Sequence, residues 1–324
     1  MNELFFKGMT YGWGAKRGDY RTSSAVKSME KLADTGSEWI ALSFWTWQDT
    51  IHSTKIYYDY GYTPTDRDIE FAVKQAKQLG LKVCLKPVVN SKDGIWRARI
   101  GFPEEADQYW SEWFASYTNF IKHYAELAAE LGCEMFCIGC EMVATETRSL
   151  EWRTLIKEVR SIYNGPIIYN ANHGKEEGID WLDAVDLIGI SAYYPVASIP
   201  GETYENMRKE WEKQKPRLKS LSERFKKSIV FIEIGCRSAL GCATMPWDFT
   251  HTDLPVSERE QANFYRSALE VFWNEPWFSG YFWWDWRTHL YELEEASKDA
   301  GFDIYGKEAE QILKEFYKLP VLRS

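Results

Sequence analysis

Two glutamates each follow a short apolar run. Met135-Phe-Cys-Ile-Gly-Cys-Glu141 and Ile229-Val-Phe-Ile-Glu233-Ile-Gly235 both lead β-favouring residues into one carboxylate. A charge inside such a run is costly to bury without a partner, so each Glu is expected at or near a strand end. A single Glu there could equally cap a neighbouring helix or pair with an arginine. Two, delivered by different strands to one place, point to chemistry. Paired carboxyls over a cleft suit glycoside hydrolysis, in which one protonates the leaving oxygen and the other attacks the anomeric carbon or activates water. At a separation of about 5 to 5.5 Å the second is itself the nucleophile, and a covalent glycosyl-enzyme forms. Their mutual charge is expected to raise one pKa and so supply the acid.

Polar and aromatic side chains of the kind a sugar site uses cluster at the ends of other apolar runs. Lys86-Pro-Val-Val-Asn90 leads into Trp96 and Arg97, and Ser191-Ala-Tyr193-Tyr194 follows a sixth run. The last run ends in Trp283-Trp284-Asp285-Trp286, the second in Trp45-Thr46-Trp47, and Trp13 follows the first. If Gly189 and Ser191 face inward, Tyr193 does too, and its hydroxyl can reach the nucleophile. Aromatics make up 16% of the chain, with 16 Trp, more flat apolar faces than a core of this size requires. For any one of them core packing competes with sugar stacking, so position has to decide.

The elements that must hold these groups alternate between two patterns. Strands are predicted over Phe6–Tyr11, Trp39–Trp45, Lys82–Val89, Met135–Glu141, Pro166–Asn170, Leu187–Tyr193, Ile229–Ile234 and Gly280–Trp284. Helical periodicity fills most gaps: Ser24–Ala33, Asp66–Leu79, Glu104–Leu131, Glu151–Ile162, Tyr204–Phe225, Ser257–Phe272 and Lys307–Tyr317. Gly80 and Gly132 stand where left-handed helix ends are wanted, and Ser257 with Glu260 spells a capping box. Eight strand–helix units without a linker predict an α/β chain, a single (β/α)8 TIM barrel, with one catalytic domain over residues 1–324. In that fold the site lies at the C-terminal strand ends, where both glutamates fall.

Composition narrows the partners. A net charge of −9 over 324 residues, with no long basic run, argues against nucleic acid and anionic membrane surfaces. No signal-length or membrane-length apolar stretch is visible, so a cytoplasmic protein is expected. Six scattered cysteines are expected to be reduced, and Cys137 and Cys140, three apart in a strand, to face opposite sides. There is no H-E-x-x-H and no clustered ligand set, so neither metal nor cofactor is expected. Gly12-Trp-Gly14-Ala-Lys-Arg-Gly18 misses the dinucleotide fingerprint by one residue and leads into no helix. Among the scattered histidines, His173 and His289 follow strands and could line a cleft.

The chain resembles the β-mannanases of glycoside hydrolase family 113, within the clan of barrel glycosidases whose catalytic glutamates follow strands four and seven. The likeness rests on Gly8-Met-Thr-Tyr11, Leu85-Lys-Pro87, Trp96-Arg97, Trp113, Tyr117, Ile138-Gly-Cys-Glu141, Asp186-Leu-Ile-Gly-Ile-Ser191 and Glu233. It implies Glu141 as acid/base, Glu233 as nucleophile, sugar contacts at Asn90, Trp96, Arg97, Tyr193 or Tyr194, and Trp284, and retaining action on β-1,4-mannosides in oligo- or polysaccharide without a metal. One departure stands out. The clan usually places Asn before the acid/base, bonded to the sugar 2-hydroxyl, and Cys140 stands there instead. The open alternatives are a β-linked glucoside, galactoside or xyloside substrate, and a barrel that binds oligosaccharide without cleaving it.

Overall fold

A computed structural model describes residues 5–322 of the protein. Eight parallel strands close into one barrel in sequence order: β1 Phe6–Tyr11, β2 Trp39–Gln48, β3 Lys82–Ser91, β4 Met135–Cys140, β5 Ile167–Asn172, β6 Leu187–Ser191, β7 Ile229–Ile234 and β8 Phe278–Trp286. β1 closes the ring, pairing Gly8 with Trp39 of β2 and with Phe282 of β8. Outside lie α1 Ser23–Ala33, α2 Asp66–Gln78, α3 Asp107–Glu130, α4 Ser149–Arg160, α5 Tyr204–Phe225, α6 Glu258–Phe272 and α7 Glu308–Tyr317. Only short 3-10 turns link β5 to β6.

Alternation sorts the strand side chains into two cores. Phe6, Trp39, Cys84, Met135, Ile168, Val230, Ile232 and Phe282 fill the barrel interior as a dry plug. Their neighbours, such as Leu85, Phe136, Ile190 and Phe231, face the helices in a larger outer core. Each buried apolar side chain of this size contributes about 1.5–3 kcal/mol. The plug forms the floor beneath a polar layer, and that layer carries the site.

Two local breaks in alternation, one in β4 and one in β7, shape this layer. The register between β4 and β5 shifts between Cys137 and Cys140. Ile138 and Gly139 both face outward there, since a Cβ on Gly139 would come within 2.8 Å of Tyr169 and 2.9 Å of the Tyr117 hydroxyl. Cys140 is therefore turned inward like Cys137, which corrects the expectation of opposite faces. β7 behaves alike: Val230 and Ile232 point in, so strict alternation would send Glu233 out. Register shifts against β6 and β8 turn it into the barrel instead. Such bulges re-aim side chains at the cost of a ladder bond.

The helix ends that the sequence marked follow local chemistry with one exception. Gly80 and Gly132 end α2 and α3 at φ 78° and 62°. Thr65 and Asp68 form a reciprocal capping box at α2, with bonds of 3.2 and 2.8 Å. The box expected at α6 forms only by half. Ser257 accepts from the Glu260 amide at 3.4 Å, but the buried Glu260 carboxylate accepts from the amides of Gly201 and Gly241, both at 2.8 Å, and ties two loops together. Among the described residues no helix is long and apolar enough to cross a membrane.

Candidate active site

The C-terminal strand ends open into a cleft of about 1130 Å³. Glu141 and Glu233 both line it, with Trp13, Trp47, Asn90, Trp96, Arg97, Tyr193 and Trp284 from the residues singled out by sequence.

Glu233 is buried and surrounded by donors. Its Oε1 accepts from the Lys86 ammonium, from Asn170 Nδ2 at 3.0 Å and from the Cys140 thiol at 3.3 Å. Its Oε2 accepts from the Tyr193 hydroxyl at 3.3 Å. Burial alone would push this carboxyl up. The charges of Lys86 and Arg97, with the hydrogen bonds from Lys86 and Cys140, outweigh burial and hold it below the ordinary glutamate value. Burial, reinforced by the Glu233 charge, pushes the Tyr193 hydroxyl well up, so it remains a donor.

Glu141 is held differently. Its own backbone is left-handed, φ 54°, an uncommon state for a residue with a Cβ. The Glu141 amide donates to Asn170 O at 2.7 Å, and the next amide, of Met142, donates to the Tyr169 hydroxyl at 3.0 Å. Tyr169 in turn donates to the buried Glu146 at 2.6 Å. Around the carboxylate, Arg97 Nη2 reaches Oε2 at 2.7 Å, Asn172 Nδ2 reaches Oε1 at 2.9 Å and Trp96 Nε1 reaches Oε2 at 3.4 Å. Arg97 is fixed by the Cys140 carbonyl at 3.0 Å and by Asn90 Oδ1 at 3.2 Å. Its Nη2 also lies 3.3 Å from Cys140 Sγ, so Arg97 and Cys140 bridge the two glutamates.

Aromatic rings build the walls. Trp13 packs edge-on against both Trp45 and Trp284 at 4.8 Å, and Trp45 continues to Trp47 at 5.4 Å. Away from this ladder, His173 stacks on Trp247 at 5.3 Å, and Phe249 stands exposed beside them on the lining.

Three expected contacts lie elsewhere. Trp283 is fully buried and faces the helices, stacked on Tyr265 of α6 at 3.8 Å, because Phe282 and Trp284 take the inward positions on either side. Tyr194 points away from Tyr193 and donates to Glu176 at 2.6 Å beneath Arg217. Lys86 has no exposed surface and meets Glu233, not the cleft. Conversely, sequence reasoning passed over Asn170, Asn172, Trp247 and Phe249. The asparagines had a visible signal: they continue the inward alternation of Ile168, and β5 extends to Asn172 because Ala171 and Asn172 still pair with β6. Nothing in the sequence marked the loop aromatics.

A closed barrel with two carboxylates meeting in an aromatic cleft at its C-terminal strand ends defines a barrel glycosidase. The model of Glycoside Hydrolase Family 113 matches residues 9–307. A family 113 β-mannanase from Alicyclobacillus acidocaldarius, solved with ManMIm, is 39% identical, with 98% of each chain covered and a TM-score of 0.90. Two structures of family 113 β-1,4-mannanase, one of them a complex, share 35% and 36% identity over 98% of this chain and 100% of theirs, each with a TM-score of 0.90. A β-glucuronidase from Faecalibacterium prausnitzii, 15% identical over 98% of this chain and 49% of its own, shares the fold at a TM-score of 0.66. No curated protein matches the chain. The chain belongs to glycoside hydrolase family 113 and is a glycoside hydrolase. Among the described residues no three His, Cys, Asp or Glu are grouped to hold a metal ion.

Proposed function

We propose that this protein cleaves β-1,4-mannosidic bonds in mannan or manno-oligosaccharides by double displacement, with residues 1–324 acting as one catalytic unit. The observation that carries the reading is the unequal pair of carboxylates in one cleft. Glu233, kept ionised by Lys86 and Arg97, attacks the anomeric carbon. Glu141 gives its proton to the departing oxygen as the glycosidic bond breaks. Water then attacks the same carbon, loses its proton to Glu141, and the bond to Glu233 breaks with its electron pair returning to the carboxylate. Trp284 and Trp13 floor the reacting sugar, and Asn90, Trp96 and Arg97 stand beside Glu141 to meet sugar hydroxyls. Retention and mannoside preference rest on the family 113 mannanases this chain is similar to. Six free, buried thiols suit a reducing compartment such as the cytoplasm, where secretion of the enzyme by its producing cells would contradict the placement.

The second reading keeps the mechanism and changes the sugar. Cys140 is already engaged with Glu233 and Arg97, so no asparagine beside the acid/base reads the 2-hydroxyl, where mannose and glucose differ. Incubation with mannohexaose, cellohexaose and xylohexaose, resolving products and their anomers, decides between them. Hydrolysis of mannohexaose with β anomer formed first is expected. First-formed α anomer removes the nucleophile role from Glu233, and faster cleavage of either other oligosaccharide removes the mannoside assignment.

A further inference from the structure

Lys86 is a cation with no exposed surface, set in the polar layer of the barrel directly above the dry plug. Its ammonium pairs with Glu233 Oε1 and lies 5.9 Å from the centre of the Trp284 ring. Among the described residues no other carboxylate lies within ion-pair distance of it. Lys86 has no exposed surface and is not on the cleft lining, whereas Glu233 is, so the sugar does not touch Lys86 directly. Whatever Lys86 does for the reaction must pass through Glu233.

The two oxygens of Glu233 are unequally tied. Oε1 holds three donors, Lys86, Asn170 and Cys140. Oε2 holds one, the Tyr193 hydroxyl at 3.3 Å, on the side where Tyr193 lines the cleft. A carboxylate pinned through one oxygen presents the other, so Oε2 is the atom free to form a bond to carbon. Once it does, the carboxylate becomes an ester and its charge is gone. The ammonium then remains buried opposite an uncharged group, with the Arg97 cation also near. A buried charge deprived of its partner is strongly disfavoured. That penalty falls on the covalent intermediate and is relieved when the ester breaks.

We propose that Lys86 is a positioning residue that turns Oε2 of Glu233 toward the anomeric carbon and shortens the life of the glycosyl-enzyme by making the Glu233 carboxylate a better leaving group. In bonding terms, Lys86 neither gives nor takes a proton. Oε2–C1 forms as the glycosidic C1–O bond breaks, and in the second step Oε2–C1 breaks as water bonds to C1, its electron pair going back to the carboxylate that Lys86 stabilises. The proposal rests on the assignment of Glu233 as nucleophile made above.

Other groups around Glu233 bear on its titration. Arg97 and Glu141 act from the β3 and β4 loops, Cys137 and Cys140 from β4, Tyr193 after β6 and Asp285 from β8. The thiols and Tyr193 are pushed up by burial and stay neutral donors, so Lys86 and Arg97 are the cations that oppose burial.

The test uses Lys86→Met with dinitrophenyl mannobioside, whose leaving group needs no acid. The acid limb of kcat/KM is expected to move up by at least about one pH unit, since losing a close cation shifts a carboxyl by roughly 1 to 3 units. Above that limb kcat should fall at least roughly tenfold more than kcat/KM, with a matching fall in KM and a hexobiosyl adduct visible on the intact protein by mass spectrometry. Lys86→Arg, which keeps the cation, should return the limb toward its original place. If the Met variant does not fold, Lys86→Gln, which keeps a donor but not the charge, is read in the same way. The unaltered enzyme supplies a reading that needs no variant: its acid limb should lie below the ordinary glutamate value of 4.5. An unmoved limb and unchanged KM in a folded Met or Gln variant, or a limb at or above 4.5 in the unaltered enzyme, overturns the proposal. A Glu233→Ala variant that keeps turnover would instead overturn the nucleophile assignment itself, so the two failures are distinguishable.

Discussion

Glu233 and Glu141 face the same cleft and carry the same functional group, yet the fold holds them by different means. Glu233 sits within a strand, turned inward by bulges, its charge held by a buried ammonium and three neutral donors. Glu141 sits just beyond a strand, on a left-handed residue, its position set by a loop that Tyr169 and Glu146 brace. A nucleophile needs a fixed charge and a fixed direction. An acid/base must gain and lose a proton each turnover, and for that a group on a braced loop beside the cleft is better suited than one locked in the ladder. Under the assignment proposed above, what separates the two roles is the surroundings and not the residue type.

Removing each carboxylate should give the largest effects and the sharpest separation. Glu233→Ala is expected to lose on the order of 10⁵-fold in kcat on any mannoside, as for a covalent nucleophile. Glu141→Ala should lose roughly 10² to 10⁴-fold on manno-oligosaccharides but far less in the first step with a dinitrophenyl leaving group. Added azide tells them apart by product. In the Glu233 variant azide replaces the nucleophile and yields the α-mannosyl azide. In the Glu141 variant it intercepts the glycosyl-enzyme and yields the β-mannosyl azide. The same azide anomer from both variants would break the comparison.

The barrel and both glutamates were legible because each depends on local pattern. Short β-favouring runs separated by amphipathic stretches read directly as strands and helices, and all eight strands begin within two residues of where the pattern put them: β1 and β7 match at both ends. Side-chain direction was legible only where alternation holds. It failed at Cys140 and would have failed at Glu233, since a bulge is settled by pairing with neighbouring strands that the sequence alone does not reveal. Adjacent aromatics such as Trp283 and Trp284, or Tyr193 and Tyr194, look alike in sequence, although alternation sends one of each pair outward. Lys86 read as a sugar contact because a lone polar residue in an apolar run gives no sign of whether it meets substrate or a buried partner. Trp247 and Phe249 lie on a long loop whose path depends on distant ties such as Glu260, so nothing local announced them.

Two asparagines of β5, two residues apart and both pointing inward, sharpen the comparison at the next level down. Asn170 donates to Glu233 and Asn172 to Glu141. Glu141 Oε1 has Asn172 as its hydrogen-bond donor, so Asn172→Ala should release it and cost roughly 10 to 100-fold in kcat on mannohexaose, the worth of a charge-assisted hydrogen bond. Glu233 Oε1 keeps Lys86 and Cys140 when Asn170 is lost, so Asn170→Ala should cost only severalfold in kcat. Its penalty should appear in folding, by roughly 1–3 kcal/mol, because the buried Ser191 loses the acceptor it bonds at 3.0 Å. Steady-state kinetics and urea midpoints on both variants check this. A larger activity loss from Asn170→Ala would mean that Glu233 is not held as redundantly as its contacts indicate.

The smallest effect concerns the brace beneath Glu141. Burial pushes the Glu146 carboxyl up to about 7, with the nearby Glu141 charge adding to it and the Tyr169 hydrogen bond opposing it. A carboxyl whose folded pKa lies above its unfolded value of about 4.5 binds more protons when folded, so its stabilising contribution is complete below 4.5 and is lost as pH rises through about 7. The full swing is at most roughly 3 kcal/mol. Glu146→Gln keeps the shape and removes the titration. Relative to that variant, the unaltered enzyme should lose stability steadily between pH 4.5 and 7 in urea unfolding, and the gap should level off above. In the Gln variant the amide oxygen still accepts from Tyr169, so kcat should fall no more than about threefold, consistent with the small net worth of a neutral hydrogen bond. A gap that widens in the opposite direction, or that does not depend on pH, would show that Glu146 is ionised in its brace, and the Glu141 loop would then be held by charge much as Glu233 is.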